Sequence, residues 1–411
     1  MILTIEKLVY NGYGMGRTSE GLVVFVPYTA PGDRVRVRIV EQRRDFAFGE
    51  VVELLEPSSC RVEPGCPHFG VCGACQWLHV DYRVQLEHKG MILERELARV
   101  DRDLPSLVKP MVFKEPDRYR RRVKLVVERK LIGFRGFRSH RICGVGACRL
   151  ITESMERALL VLYRFQSLLK YGQEIWMGED LREGMLLVSV KASRKIREIH
   201  QIYHELEDRT GLEVGLRINY RGKRSTLGRQ FIFEDLCGAK VFYTYDTFFQ
   251  ANRYLTPDLV EHVVNAVPHG SRVLELYAGC GTFTIPLSRK AGRITAVEIN
   301  PVSVGLLEEH TGDNVEVVRR DVEAFVEGAL CDHDVVLVDP PRTGLTVGVS
   351  RWINEGRASL VVYVSCNPTT LARDIKRLDN YRVVEITPFD MFPHTFHLET
   401  VALLERKPAR S

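Results

Sequence analysis

No run in this 411-residue sequence approaches the roughly 18 consecutive apolar residues that a membrane-spanning helix requires, so no helical membrane span is expected. The opening MILTIEKLVYNG lacks a secretory apolar core, because Glu6 and Lys7 interrupt it, and the protein is expected in the cytoplasm. Neither sign of charge dominates: 58 Lys and Arg stand against 53 Asp and Glu, and a net charge of +5 alone assigns no partner. Internal repeats and low-complexity tracts are also missing, which excludes a repeat array. The dinucleotide fingerprint G-x-G-x-x-G is incomplete, since Thr284 stands at its third glycine, and this counts against NAD.

What is present divides the chain into three expected units. Residues 1–57 hold about five short alternating runs separated by Gly, Pro and Asp turns, as in a small oligonucleotide-binding barrel. Within them RVRVRI (34–39) places Arg34, Arg36 and Arg38 on one strand face, and RYRRRVKLVVERK (118–130) is a second basic strip. Together the strips lead to an expected polyanionic partner. Residues 58–240 contain a cysteine-rich segment, a helical stretch over 82–100, a hairpin candidate near 121–137, and mixed strand and helix patterns. From 241 to 411 continuous apolar runs at 272–278, 293–299, 315–320, 334–340 and 359–365 alternate with helical spacers. That pattern is an α/β domain with a parallel sheet covered on both faces, and 381–387 and 399–407 add two edge strands.

The opening segment IEKLVYNGYGMGR…GLVVFVPYTAPGDRVRV resembles the TRAM domain, an RNA-binding module. In the α/β unit, LELYAGCGTFTIPLS joins a strand to a helix through Gly279-Cys280-Gly281, where a cofactor can approach the backbone. Glu298 ends the next strand 19 residues later, in the position of a ribose-binding acid, and Asp321 follows the third strand. The layout resembles class I S-adenosylmethionine-dependent methyltransferases.

Four segments narrow the reading: FFQANRYL (248–255), DPPR (339–342), SCNP (365–368) and FDMFPHTFHLETV (389–401). In this order they resemble the signatures of the RNA uracil-5-methyltransferase family. C5 of uracil is too weak a nucleophile to accept a methyl group unaided, and a thiolate added to C6 activates it. The resemblance implies that Cys366 is this nucleophile and that Glu399 is the base that removes the C5 proton. It also implies that Gln250, Tyr277, Thr282, Glu298, Asp321 and Asp339 bind S-adenosylmethionine, with Asp339 also touching the target uracil, and that the 82–100 helix packs on the catalytic domain. The partner it implies is RNA, with rRNA as the first expectation and tRNA as the alternative, and a monomer is expected. A non-catalytic iron–sulfur RNA-binding protein is the competing class, and it would have no use for Cys366 and Glu399.

The remaining cysteines cluster. Cys66, Cys72 and Cys75 have the spacing of thiolate ligands for zinc or an iron–sulfur centre in a reducing compartment. SHRICGVGACRLI (139–151) offers Cys143 and Cys148 as a fourth ligand, and Cys60 is unassigned. The spacing resembles that of the iron–sulfur members of the same family, which implies a [4Fe–4S] cluster on Cys66, Cys72, Cys75 and Cys148.

Overall fold

The computed structural model describes residues 1–180, 182–328 and 331–408. Residue 181 of the 58–240 unit, and residues 329–330 and 409–411 of the 241–411 unit, lie outside the described residues.

Strands β1 (Ile2–Leu8), β2 (Tyr13–Arg17), β3 (Val23–Pro27), β4 (Arg34–Gln42) and β5 (Phe46–Glu56) close a barrel in the order β1-β2-β3-β5-β4. Period-two alternation turns Leu3, Ile5, Val24, Val26, Val35 and Val37 into its core. The same alternation puts Arg34, Arg36 and Arg38 outside, but the expectation of a free basic face fails. Register sets Glu56, Glu53 and Glu50 of β5 opposite them, and the ion pairs close at 2.5, 3.0 and 2.9 Å.

After the cysteine-rich loop comes α1 (Tyr82–Ala98), capped by the Asp81 side chain, which accepts from the Arg83 N–H. Leu93 and Leu97 of α1 are buried in the core of the C-terminal sheet.

The central sheet contains β6 (Arg122–Glu128), β7 (Leu131–Arg135), β8 (Ile142–Gly144), β9 (Gly172–Asp180), β10 (Met185–Ala192), β11 (Glu213–Tyr220) and β12 (Lys223–Leu227), in the order β12-β11-β10-β9-β6-β7-β8. Helices α2 (Glu153–Tyr163), α3 (Gln166–Tyr171) and α4 (Ile199–Thr210) bury their apolar faces against it. The second basic strip is also taken up internally. Arg118 pairs with Glu156 at 2.7 Å, Lys124 with Glu174 at 2.8 Å, and Arg121 with Glu234 in the interior. Arg122 donates to the Phe249 carbonyl at 2.5 Å. Both strips are thus partly engaged in ion pairs, while Arg38, Lys124 and Arg129 keep well-exposed side chains.

A hairpin, β13 (Ile232–Leu236) and β14 (Ala239–Tyr243), leads through α5 (Thr256–Ala266) into the C-terminal domain. There β15 (Arg272–Leu276), α6 (Thr284–Ser288), β16 (Arg293–Glu298), α7 (Pro301–His310), β17 (Val315–Arg319), α8 (Val322–Gly328), β18 (Val335–Val338), α9 (Val347–Glu355), β19 (Leu360–Ser365), α10 (Pro368–Arg377), β20 (Tyr381–Phe389) and β21 (Glu399–Arg406) follow in turn. The sheet order is β17-β16-β15-β18-β19-β21-β20. β15 to β19 pair parallel, and β21 runs antiparallel to both neighbours. Val273, Ile294 and Val335 face one core, and Leu274, Leu276 and Val336 face the other, so both sides of the sheet are covered. Among the described residues no helix is long and apolar enough to cross a membrane.

Candidate active site

The carboxyl ends of parallel strands share one edge, and this is where the candidate residues meet. The turn after β15 is built on left-handed backbone: Tyr277, Gly279 and Gly281 have φ of 65°, 58° and 89°. A Cβ added at Gly279 would meet nothing within 4 Å, so the backbone there faces open space that a ligand can approach. Glu298, the last residue of β16, accepts from the N–H groups of Gly279 (2.8 Å), Ile299 (2.9 Å) and Asn300 (2.7 Å), which pins the two loops together. Asp321 accepts from the Ala324 N–H at 3.2 Å, and its charge reaches the Tyr277 hydroxyl. The Cys280 thiol donates to the Phe248 carbonyl at 3.1 Å and draws in the segment that carries the buried Gln250. Thr282 follows Gly281 at the mouth of α6 and is buried. Beneath the turn, burial pushes the Glu275 carboxyl up to about 8, against the opposing effect of the Thr284 hydroxyl, which donates to it at 2.6 Å.

Strand direction explains how Cys366 and Glu399 come together. Because β21 is antiparallel, its first residue lies at the edge where β19 ends. Ser365 pairs with Thr400, which sets Cys366 beside Glu399, and Asp339 follows the adjacent β18. Burial pushes the Cys366 thiol up to about 12, with the charges of Glu399 and Asp339 adding and that of Arg342 opposing. Burial also raises Asp339 to about 7 and lifts Glu399 well above the usual carboxylate range. The Glu399 Oε1 atom is buried without a hydrogen-bond partner among the described residues. Two carboxyl groups and a thiol thus share a confined space with one guanidinium. Such a set can take up and release protons near neutrality.

Apart from Asn252, which FFQANRYL already offered beside Gln250, several supporting residues were not singled out from sequence. Arg342 was visible as the last residue of DPPR, but its effect on the thiol was not. Lys89 of α1 forms a fully buried ion pair with Asp390 and donates to the Phe392 carbonyl at 3.0 Å. Asn252 donates to the Met391 carbonyl at 3.1 Å, and Gln85 accepts from the His394 N–H at 3.0 Å. His394, at φ 65°, contacts Asp117 at 3.3 Å, and Asp117 is held by Arg149 through pairs of 2.7 and 2.5 Å. These contacts fix the segment that delivers Glu399. They join residues up to 309 positions apart, so no local pattern announces them. Tyr10, in the turn between β1 and β2, meets the Phe396 ring edge-on at 5.2 Å.

Cys66, Cys72, Cys75 and Cys148 line one small cavity of about 20 Å³, and Cys143 is buried nearby without lining it. Burial pushes the Cys72 thiol up to about 12 and also raises Cys75 and Cys148. Among the described residues no group of three or more His, Cys, Asp or Glu is drawn together as a metal-holding set. Cys60 is set apart, donating to the Pro31 carbonyl at 3.3 Å.

Sheet order, glycine turn and acidic strand tips define a methyltransferase domain of the S-adenosylmethionine-dependent fold, here preceded by a small barrel. Residues 145–407 match the family described as tRNA (Uracil-5-)-methyltransferase, and residues 2–52 match the TRAM domain. The chain belongs to the RNA uracil-5-methyltransferase family and is an enzyme of that activity. An uncharacterized RNA methyltransferase of Thermotoga maritima is 30% identical over 97% of this chain and 98% of its own length. The 23S rRNA (uracil(1939)-C(5))-methyltransferase RlmD of Edwardsiella ictaluri is 32% identical over 98% of this chain and 95% of its own. The crystal structure of Pyrococcus abyssi tRNA (uracil-54, C5)-methyltransferase in complex with S-adenosyl-L-homocysteine superposes with a TM-score of 0.79 at 26% identity, covering 98% of this chain and all of that one.

Proposed function

We propose that the protein methylates C5 of a specific uridine in 23S rRNA through a covalent adduct on Cys366. The observation that carries this reading is the β19–β21 register, which sets the Cys366 thiol against Glu399 with Asp339 and Arg342 beside them. S-Adenosylmethionine supplies the methyl group. The glycine turn, Tyr277, Thr282, Glu298, Asp321, Gln250 and Asp339 would hold it, which the open backbone at Gly279 accommodates.

The Cys366 thiol gives up its proton to a carboxylate of the pocket as its sulfur bonds to C6 of uracil. Arg342 favours the thiolate. Electron density then moves to C5, where the methyl group is accepted. Glu399, raised by burial and poised as a base, takes the C5 proton. Its electrons restore the C5–C6 double bond, the C6–S bond breaks, and free Cys366 is released. Because stacked duplex bases hide C5 and C6, the uridine enters flipped out of its stack. The 23S target follows the RlmD relative at 32% identity; the tRNA enzyme at 26% supports the alternative. Incubation of deproteinised rRNA and tRNA with enzyme and S-adenosylmethionine, followed by mapping of 5-methyluridine, tests this. Methylation confined to tRNA overturns the 23S assignment.

The same reading takes 1–57 as the RNA-binding unit, 58–240 as the cysteine-site unit and 241–411 as the catalytic unit. It also assigns Cys66, Cys72, Cys75 and Cys148 to a [4Fe–4S] cluster, supported by their shared cavity. Zinc is the second reading, because four cysteine thiolates are equally a zinc-binding set. A brown, iron-containing protein purified without air supports the cluster, and a colourless protein with bound zinc overturns it.

A further inference from the structure

A cleft of about 510 Å³ lies between the barrel and α1, apart from the candidate active site. Its size lies within the usual range for small-molecule sites, roughly 300–1,000 Å³. The lining combines rings, cations and the carboxylates of Asp45 and Glu96, the latter paired with Arg99. Tyr10, Phe25 and Phe46 supply aromatic rings from the barrel, and Met91 stands more than half exposed on α1. Lys7, from β1, and Arg95, from the last turns of α1, supply positive charge. Two further cations in the lining are engaged already, Arg17 with Glu6 at 3.8 Å and Arg99 with Glu96 at 2.6 Å. Lys7 and Arg95 make no ion pair among the described residues. Free cations beside half-buried rings make a binding surface for single-stranded nucleic acid: the rings stack on bases and the cations meet phosphates.

Tyr10 also belongs to the other site. Its ring packs on Phe396, and His397, the next residue, lies 3.3 Å from the Arg342 guanidinium. The Tyr10 hydroxyl is pushed up by burial, with Cys366 and Glu399 adding and Arg342 opposing, so it lies within electrostatic reach of all three. The cleft therefore begins where the candidate active site ends.

We propose that the barrel–α1 cleft holds a single-stranded nucleotide adjacent to the target uridine, its base against Phe46 and Met91 and its phosphate between Lys7 and Arg95, with Tyr10 as the post between the two sites. This deepens the proposed function and rests on it. Beside the ion-paired arginines of β4, the cleft adds two cations that make no ion pair among the described residues. Contact with the strand falls to two unpaired cations on facing elements.

The test uses the full chain and a fluorescent uridine hexanucleotide containing 4-thiouridine. Irradiation followed by peptide mapping is expected to place crosslinks at Tyr10, Phe46 or Met91. The Lys7→Ala/Arg95→Ala variant is expected to bind the hexamer about tenfold more weakly at moderate salt, with a salt slope shallower by about 0.7. Both positions are at the surface, and a Met91→Glu variant, also at an exposed site, is expected to weaken binding without disturbing the barrel core. Crosslinks confined to other peptides, or an unchanged salt slope in the double variant, overturn the cleft assignment. Failure of the parent reading looks different: no 5-methyluridine forms in rRNA or tRNA, whatever the crosslink map shows.

Discussion

Cys366 and the cysteines around the small cavity are alike in one respect and opposed in another. Burial raises Cys366 and Cys72 to about 12, so both thiols are protonated in the free protein. Around Cys366 the neighbours are two carboxyl groups and a guanidinium, which can receive a proton and steady a thiolate. Around Cys72 the charges that act on the thiol are those of other cysteines, and Cys75 and Cys148 have the Arg120 guanidinium to favour a thiolate but no carboxylate acting on them to receive a proton. The same side chain is thus prepared for two chemistries by what surrounds it. One setting suits a bond that forms and breaks, and the other a set of sulfurs that closes on something positive.

The largest effect expected from this contrast is at Cys366. Cys366→Ala should lower methylation by about 10⁴-fold or more while S-adenosylmethionine binding, measured by calorimetry, is retained. Glu399→Gln should slow turnover by about 10²- to 10⁴-fold and leave methylated RNA joined to the protein, seen as a slow band on a denaturing gel. That band should vanish in the Glu399→Gln/Cys366→Ala double variant; a persisting band would place the nucleophile elsewhere. Arg342→Gln removes the one charge that favours the thiolate, so the thiol rises further. The rate should fall about tenfold, and because the thiol lies near 12 the deficit should persist across the pH range from about 7 to 9, read from a pH–rate profile.

At the other site, Cys72→Ser or Cys75→Ser should abolish metal content by elemental analysis. The effect on turnover should be smaller, about 2- to 30-fold, because it reaches Glu399 indirectly, through the Arg149–Asp117–His394 contacts and the Trp77 N–H that donates to the His394 carbonyl at 3.0 Å. Equal loss of turnover at both sites would break the comparison. The smallest effect is on stability. Burial lowers His79, beside the cysteine loop, to about 4. Between the unfolded value near 6.5 and about 4 the unfolded chain binds the extra proton. Stability is therefore complete above about 6.5 and declines through this window as pH falls, by up to about 3 kcal/mol for His79, measurable by urea titration.

Much of the C-terminal sheet was legible because parallel strands write themselves as continuous apolar runs, and the runs at 272–278, 293–299, 334–340 and 359–365 each contain a strand. The five-stranded barrel was legible from alternation and turn residues. What was not legible depends on partners chosen in space. RVRVRI shows three arginines on one face, but only the β4–β5 register reveals the three glutamates opposite. Tyr10 reads as an ordinary turn residue until the barrel is seated on Phe396. For the fourth cysteine the resemblance points to Cys148 rather than Cys143, and in the structure Cys148 lines the small cavity while Cys143 does not.

The Lys89–Asp390 pair carries a consequence for how the protein is made. The two residues are separated by 301 positions, and both side chains are fully buried. At about 5–20 residues per second, a ribosome delivers Asp390 roughly 15–60 seconds after Lys89. Until the strands from β15 onward are made α1 has no catalytic sheet to cover, and until Asp390 arrives its Lys89 ammonium lacks the buried partner it has in the finished fold. The sheet in turn cannot bury that face until the early helix is claimed. A nascent chain stalled before Asp390 should therefore leave α1 open to protease, and its protection should arrive late and all at once.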